Sequence, residues 1–539
     1  MFGLAGVGIF PIFDACLDAG LRLVDVRHEA AGVHMAAGWA RVTGEPGVCL
    51  VTEGPGHANA MPGLITAFAD DTPVLLLSGM AETENWGRGA IQEIPQVEMA
   101  GPVSRWSAVV PAARRIPEMM ATAFRHMRSG HPGPVHLSLP VDVLEAKVVE
   151  PAGWAGARST RQTGRAFPDP REVERAVDLL SRAERPVVVA GTDAWWAQAG
   201  KPLRAFIETT KIPLFTLEHA RGLVPDDHPL CFGNAYSSYS QAAQQIRQAD
   251  LVLLLGEKVD FRFMFGYSFG REATLITVHP SPEEVGRNRP VAVGITADVT
   301  ATLEQLGAAA RGRRWTEGSW LQALGKLREA HEAKVVELAG AESSPLHPLS
   351  LVREVESFLD REAILVFDGA DFAAWAQMAL KARRPGGWLP LGFLGMLGTG
   401  VPYAVAAKAA RPEAQVVCFT GDGALGFHLM EFDTAIRHQL PFVVVVGNDA
   451  AWGIEQHFQR ALYSPDRLVG TSLRRSRYDL MVEALGGHGE FVEHPKELRP
   501  ALERAFASGK PACVNVAVQH TPSPMTQAFT RFLLRRRGG

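Results

Sequence analysis

One stretch, Val416 to Gln456, restricts what the 539-residue chain can fold into more than any other. An apolar run from Val416 to Phe419 ends in Gly421-Asp422-Gly423, a helix-length segment follows, and a second apolar run from Phe442 to Val446 ends in Gly447-Asn448-Asp449. Strand, turn, helix, strand and polar turn make a βαβ unit with both turns at the same sheet edge. Asp422 and Asp449 are 27 residues apart, which suits such a crossover. Ligands of parallel sheets bind outside the carboxyl ends of the strands, so the two aspartates are expected to converge on one site. The glycines flanking Asp422 let backbone come close to a bulky anion, and a hard divalent cation held by oxygen ligands neutralises such an anion.

The length predicts three domains of roughly 150 to 200 residues each. An apolar content of 47% is ample for packed cores, and a net charge of −4 with scattered basic residues gives no reason to expect nucleic acid. Five cysteines, Cys16, Cys49, Cys231, Cys418 and Cys513, lie far apart without a CxxC pair. They read as buried free thiols in a reducing compartment, not as a disulfide framework or a zinc site. No apolar run approaches a membrane span, and Met1 opens on Phe2-Gly3-Leu4 with no basic leader, so no membrane and a cytoplasmic location are expected.

Residues 1 to about 150 alternate helical segments with apolar runs at Leu21 to Val26, Gly47 to Thr52, Val74 to Ser78 and Val135 to Leu139, an α/β pattern with a mostly parallel sheet. Arg27-His28-Glu29 closes the first of these runs and opens a helix through Met35, Ala36 and Trp39 to Arg41. RHE, MA-x-G-[YW]-AR and T-x-GPG-x-x-N, together with GDG and its distant N-[ND] pair, resemble the acetolactate-synthase-like branch of thiamin-diphosphate enzymes. The closing Gly130-His131-Pro132-Gly133-Pro134-Val135 run and the Gly392 to Gly398 loop fit the same pattern, so the resemblance covers nearly the whole chain.

By that resemblance the fold is three doubly wound α/β domains: residues 1–150 bind the pyrimidine, 169–310 form a central nucleotide-binding-like domain and 345–522 bind the diphosphate. Residues 523–539 form a tail, read as a closing lid or as a solvated terminus. The resemblance also implies that Asp422 and Asp449, with Ala451, hold Mg²⁺ on thiamin diphosphate; the family usually carries Asn where this chain has Asp449. Gly421, Gly423, Ala424, Trp452 and Gly453 would surround the same end of the cofactor, and Gly395 and Leu397 would prop it in its bent conformation. Glu29 would hydrogen-bond the aminopyrimidine and drive the proton relay that activates the thiazolium. Gly54, Pro55, Gly56 and Asn59 would form the turn against the ring, and Gln92 would point toward substrate. Relatives usually begin with a further helix before the strand at Phe2, so an incomplete start would tell on the first sheet more than on the chemistry.

A linker rich in Gly, Ala, Arg and Pro runs from Glu150 to about Pro168, and five or so strands follow, among them Pro186 to Ala190, Pro213 to Thr216, Leu251 to Leu255 and Thr274 to Val278. In the family this domain is a scaffold that holds FAD or the ADP part of coenzyme A in some members and neither in others. His279 stands where an acid is common, which weighs against FAD. Arg262 is read as an anion holder at the active site or as a surface salt bridge. Arg535 and Arg536 of the tail would offer cations to coenzyme A phosphates.

Glu455, followed by His457, breaks the pattern of acetolactate synthases and resembles thiamin enzymes that move a proton on the bound adduct. The expectation is a carbon–carbon lyase or carboligase working as a homodimer or homotetramer on a small acyl substrate. A 2-hydroxyacyl-CoA lyase stands ahead of acetolactate synthase or a related 2-oxo acid carboligase. A non-catalytic cofactor-binding scaffold is the alternative of another class, and intact Glu29, Asp422 and glycine loops weigh against it.

Overall fold

Runs of Val and Leu bounded by glycine turns become strands buried on both faces, as parallel sheets covered by helices require. The computed structural model describes residues 1–149, 164–315, 318–340 and 343–537, so most of the linker expected from Glu150 lies outside the described residues. Eighteen strands among the described residues sort into three six-stranded sheets, every pairing parallel.

The first sheet takes β1 (Phe2–Gly3), β2 (Val24–Asp25), β3 (Gly47–Val51), β4 (Val74–Met80), β5 (Trp106–Val109) and β6 (Val135–Pro140) in the order β2-β1-β3-β4-β6-β5. The second takes β7 (Pro186–Ala190), β8 (Leu214–Thr216), β9 (Cys231–Asn234), β10 (Leu251–Leu255), β11 (Thr274–His279) and β12 (Val293–Thr296) in the order β12-β11-β10-β7-β8-β9. That is the strand order of dinucleotide-binding sheets. The third takes β13 (Ile364–Asp368), β14 (Trp388–Leu389), β15 (Val416–Gly421), β16 (Val443–Asn448), β17 (His488–Val492) and β18 (Ala512–Ala517) in the order β14-β13-β15-β16-β18-β17. Its topology repeats that of the first sheet. The strand expected from Leu21 pairs only at Val24–Asp25, because Leu21 is exposed and has no strand partner among the described residues.

The first and third sheets meet inside one chain through two helices, Glu29–Thr43 and Gly400–Ala410. Both are apolar nearly all round, as buried helices are. Gly38 allows their approach: a Cβ there would lie 3.0 Å from Tyr403 and from Ala406. At the end of the contact, buried Arg41 pairs with Asp70 at 2.5 Å, stacks over the Tyr403 ring at 4.7 Å and donates to the Pro390 carbonyl at 3.1 Å. Asp70 also accepts the Phe393 N–H at 2.6 Å. Breaking a buried pair of this kind by removing one partner costs about 3–5 kcal/mol. The glycine loop of the third sheet is therefore held from the first. No helix among the described residues is long and apolar enough to cross a membrane. All five cysteines are free and buried.

Candidate active site

In the third sheet the chain turns one way after β13 and the other way after β15, and the crevice at such a reversal is where open α/β sheets bind ligands. β13 delivers Asp368 there, buried, its carboxylate accepting the N–H groups of Gly369 (2.7 Å), Gly398 (3.1 Å) and Gly400 (2.8 Å). Burial pushes its carboxyl up to about 6 against those three bonds. Asp368 thus shapes the glycine loop from beneath.

The loop and the ends of β15 and β16 close around a cavity of about 300 Å³. Gly395 and Leu397 line it from the loop, Gly421, Asp422, Gly423 and Ala424 from β15, and Asp449, Ala451, Trp452 and Gly453 from β16. Every residue expected at the diphosphate end is brought together here. Gly423 is required by its neighbour, since a Cβ would lie 2.7 Å from the Trp452 ring. Asn448, buried, holds the β16 turn by donating to Asn515 Oδ1 at 3.0 Å and accepting the Ala450 N–H at 3.2 Å. Ala450 itself sits at φ +58°, a conformation a non-glycine residue adopts only when its surroundings impose it.

Asp422 is buried, and its Oδ2 has no hydrogen-bond partner among the described residues. Burial first, and the charge of Asp449 second, push its carboxyl up to about 8. Two facing carboxylates, one with an orphaned buried oxygen, fit a hard divalent cation with oxygen ligands. Ala451 can add only its carbonyl. Glu455 lies in the first turn of helix Gly453–Leu462 and also lines the cavity, although its side chain is largely exposed.

The residues expected at the pyrimidine stand elsewhere. Glu29 is buried at the start of its helix and accepts from Asn59 Nδ2 at 3.1 Å. Gly54, at φ +55°, lies so close to Gln92 that a Cβ would come within 2.3 Å of the Gln92 carbonyl oxygen. Pro55 and Gly56 begin helix Pro55–Ala69. Among the described residues, none of the first sheet's domain lines the Asp422 cavity. Gln92 is exposed at φ +60°, and a neighbour with no distinguishing signal in the sequence, Gln96, is the buried glutamine of this segment. Gln96 accepts the Gly54 N–H at 3.2 Å and donates to the Gly79 carbonyl at 2.9 Å and Ser138 Oγ at 3.0 Å.

Arg262 is neither exposed nor free. It lies at 2.5 Å from Glu257, 2.7 Å from Asp260 and 4.0 Å from Glu218, and stacks over Phe393 at 5.4 Å. Its ion pairs lie within the central domain and are those of the salt-bridge reading, except that they are buried and not at the surface. At the reversal of the central sheet, between β7 and β10, the chain's own carboxylates occupy the crevice. Glu257 packs on Gly191 and accepts the Thr192 N–H at 3.3 Å, and Asp193 packs on Gly256. His279 Nε2 lies 2.9 Å from Asp193, His131 bridges Asp193 (3.2 Å) and Asp71 (2.5 Å), and Lys258 caps Asp71 at 2.6 Å. A nucleotide diphosphate at that point would have to displace both carboxylates, so these residues do not fit FAD or ADP there.

A second cavity, of about 960 Å³, lies between the central domain, helix Ser319–Ala339 and the C-terminal helix Pro524–Arg537. Arg247, Lys334, Arg531 and Arg535 line it, with Arg262 at its wall, and no Asp or Glu among the described residues does. Trp375 and Thr521 line both cavities. The tail is thus a docked helix, anchored where Ser523 N–H and Thr526 Oγ1 donate to Asp371 at 2.8 and 2.6 Å. The side chain of Arg536 lies outside the described residues.

A crevice of this kind, with paired carboxylates and glycine turns at the mouth of a parallel sheet, is where an α/β protein binds its ligand, and its donors fit an anionic one bridged by a hard cation. Matches to the thiamine pyrophosphate enzyme family run through all three sheets: the N-terminal TPP binding domain over residues 1–99, the central domain over 173–306 and the C-terminal TPP binding domain over 368–516. The chain belongs to that family. It is 40% identical to the acetolactate synthase large subunit of Mycobacterium tuberculosis across 96% of this chain and 92% of that one. It is also 32% identical to 2-hydroxyacyl-CoA lyase 2 of Homo sapiens across 97% and 88%, and 28% identical to 2-hydroxyacyl-CoA lyase of Arabidopsis thaliana across 96% and 92%.

Proposed function

We propose that the protein is a thiamin-diphosphate- and Mg²⁺-dependent 2-hydroxyacyl-CoA lyase, splitting a 2-hydroxyacyl-CoA into formyl-CoA and an aldehyde or ketone. Asp422, Asp449 and the Ala451 carbonyl hold the metal, and Glu29 of one chain meets the diphosphate site of another in a homodimer or a larger even assembly. The buried thiols suit the reducing cytoplasm. When bound, thiamin diphosphate supplies the carbon nucleophile and electron sink that a bond beside a carbonyl needs.

The observation that carries the lyase reading is the second cavity. Its described lining offers cations without a single carboxylate, as phosphate esters require, and only a shared wall, Trp375 donating to the Thr521 carbonyl at 3.3 Å, stands between it and the Asp422 cavity. A coenzyme A head lying there would present its thioester to the cofactor. Glu455, at the rim, is the group to take the hydroxyl proton as the C1–C2 bond breaks and return a proton to the formyl carbon, so that one thioester gives one formyl thioester and one carbonyl product. Acetolactate synthase is the second reading, favoured by the 40% identity to the mycobacterial protein.

Purified enzyme with both cofactors is expected to release formyl-CoA from a 2-hydroxyacyl-CoA, and Glu455→Ala to slow release about tenfold or more without altering cofactor uptake. Rapid acetolactate formation from pyruvate, with no thioester cleavage and no effect of Glu455→Ala, would reverse the ranking. Replacing Arg531 and Arg535 together by Ala removes two charge-assisted contacts of about 1.5–3 kcal/mol each. KM for a CoA thioester should then rise by at least about tenfold, while KM for a 2-oxo acid stays within about twofold. Equal changes would reject the coenzyme A site.

A further inference from the structure

Asp449 stands where the resembling family usually has Asn, and the change removes a hydrogen-bond donor and adds a negative charge beside buried Asp422. An amide offers the metal one oxygen and keeps its NH₂ for the protein. A carboxylate has two equivalent oxygens and no donor, so the second needs an N–H from elsewhere. The chain supplies one: Asp449 Oδ2 accepts from His520 Nδ1 at 2.7 Å. The other ring nitrogen of His520 is buried and without a hydrogen-bond partner among the described residues, so the ring's polar engagement is with Asp449.

The ring is fixed from behind. It stacks on His457 with centroids 4.1 Å apart and planes 17° from parallel. His457 Nε2 lies 3.2 Å from Asp371, the carboxylate that anchors the C-terminal helix through Ser523 and Thr526.

We propose that His520 is a positioning residue for the metal: it occupies Asp449 Oδ2, leaves Oδ1 for the cation, and makes the aspartate act as the one-oxygen ligand an asparagine would be. The inference rests on the reading of Asp422 and Asp449 as Mg²⁺ ligands. Outer groups that orient a ligating carboxylate are worth about 10- to 100-fold in metal affinity.

The test is thiamin diphosphate uptake by the full-length protein as a function of Mg²⁺, followed by near-ultraviolet circular dichroism, with unfolding temperature in the absence of cofactor as a check on folding. His520→Phe keeps a ring on His457 but has no N–H; His520→Asn places an amide N–H close to the Nδ1 position. The Phe variant should need at least about tenfold more Mg²⁺ for half-maximal uptake, and the Asn variant should stay within about threefold of the parent. In an Asp449→Asn background, His520→Phe should move the midpoint by less than about twofold relative to that background, because the amide supplies its own donor. An unchanged Phe variant, an equal loss in the Asn variant, or an undiminished loss in the Asp449→Asn background would each overturn the role. Wild-type uptake that ignores Mg²⁺ would overturn the metal reading itself, and this role with it.

Discussion

Glu29→Gln is expected to leave the fold and the uptake of thiamin diphosphate and Mg²⁺ nearly as they are and to lower turnover by roughly 10²- to 10⁴-fold. Gln keeps the shape of the side chain and an oxygen for the Asn59 amide, which reaches Glu29 at 3.1 Å. What Gln cannot do is hold and release the proton exchanged with the pyrimidine ring. The check is a rate measurement on the variant after cofactor occupancy has been verified by circular dichroism. Retention of more than about a third of the wild-type rate would reject Glu29 as the relay. Loss of occupancy instead of rate would make it a binding group.

Asp422→Ala fails in the opposite way: cofactor uptake should be abolished at micromolar thiamin diphosphate with Mg²⁺, since the diphosphate charge loses its cation. The empty protein gives a second readout. The Asp422 carboxyl is raised from 3.8 to about 8, chiefly by burial and then by Asp449. Between those values the folded form holds a proton the unfolded chain has released, so empty wild type loses stability as pH rises toward 8. Empty Asp422→Ala should show a flatter profile over that range, and adding cofactor and Mg²⁺ should leave its Tm unmoved. The wild type should gain about 2.7 kcal/mol at ligand a hundredfold above Kd. Retained uptake would overturn the metal role. Co-expression with Glu29→Gln chains tests where the two residues meet. If each site draws Glu29 from one chain and Asp422 from the other, mixed dimers of two inactive chains contain one intact site, and activity returns.

The parts of this fold that are legible in the sequence are those where burial and chemistry act locally. β15 and β16 are covered on both faces, so they appear as unbroken apolar runs, and the glycines at their ends mark where backbone must make room. β5 and β17 are edge strands of half-buried, partly polar residues, and β14 is two residues long; none carries a periodic signal. The Asp422 cavity is legible for the same reason, because its residues crowd into two strand-end turns and one glycine-rich loop. His520 is not: it lies 71 residues from Asp449, and nothing about a lone histidine before Thr521-Pro522 announces its partner. Gln96 is hidden likewise among exposed neighbours. For Arg262 the sequence places Asp260 and Glu257 close by, but not Glu218, which is 44 residues away and joins the cluster only on folding.

The repeated strand order of the first and third sheets bears on how the proposed site comes to be divided. One architecture is present twice in the chain, and the two copies lock together through helices 29–43 and 400–410 much as two subunits of a smaller protein would. In the proposed dimer that makes four crevices of one design. The strand that ends at Asp422 in the third sheet corresponds to β3, which leads into Thr52-Glu53-Gly54, and there the acid has turned inward, taking the Thr52 hydroxyl as its partner. One copy thus turns its acid toward the crevice, and the other, which in the proposed dimer would face the ring, turns its acid away from it. In that proposed dimer each chain would carry half of each of two sites, and neither half would work until a second chain arrived.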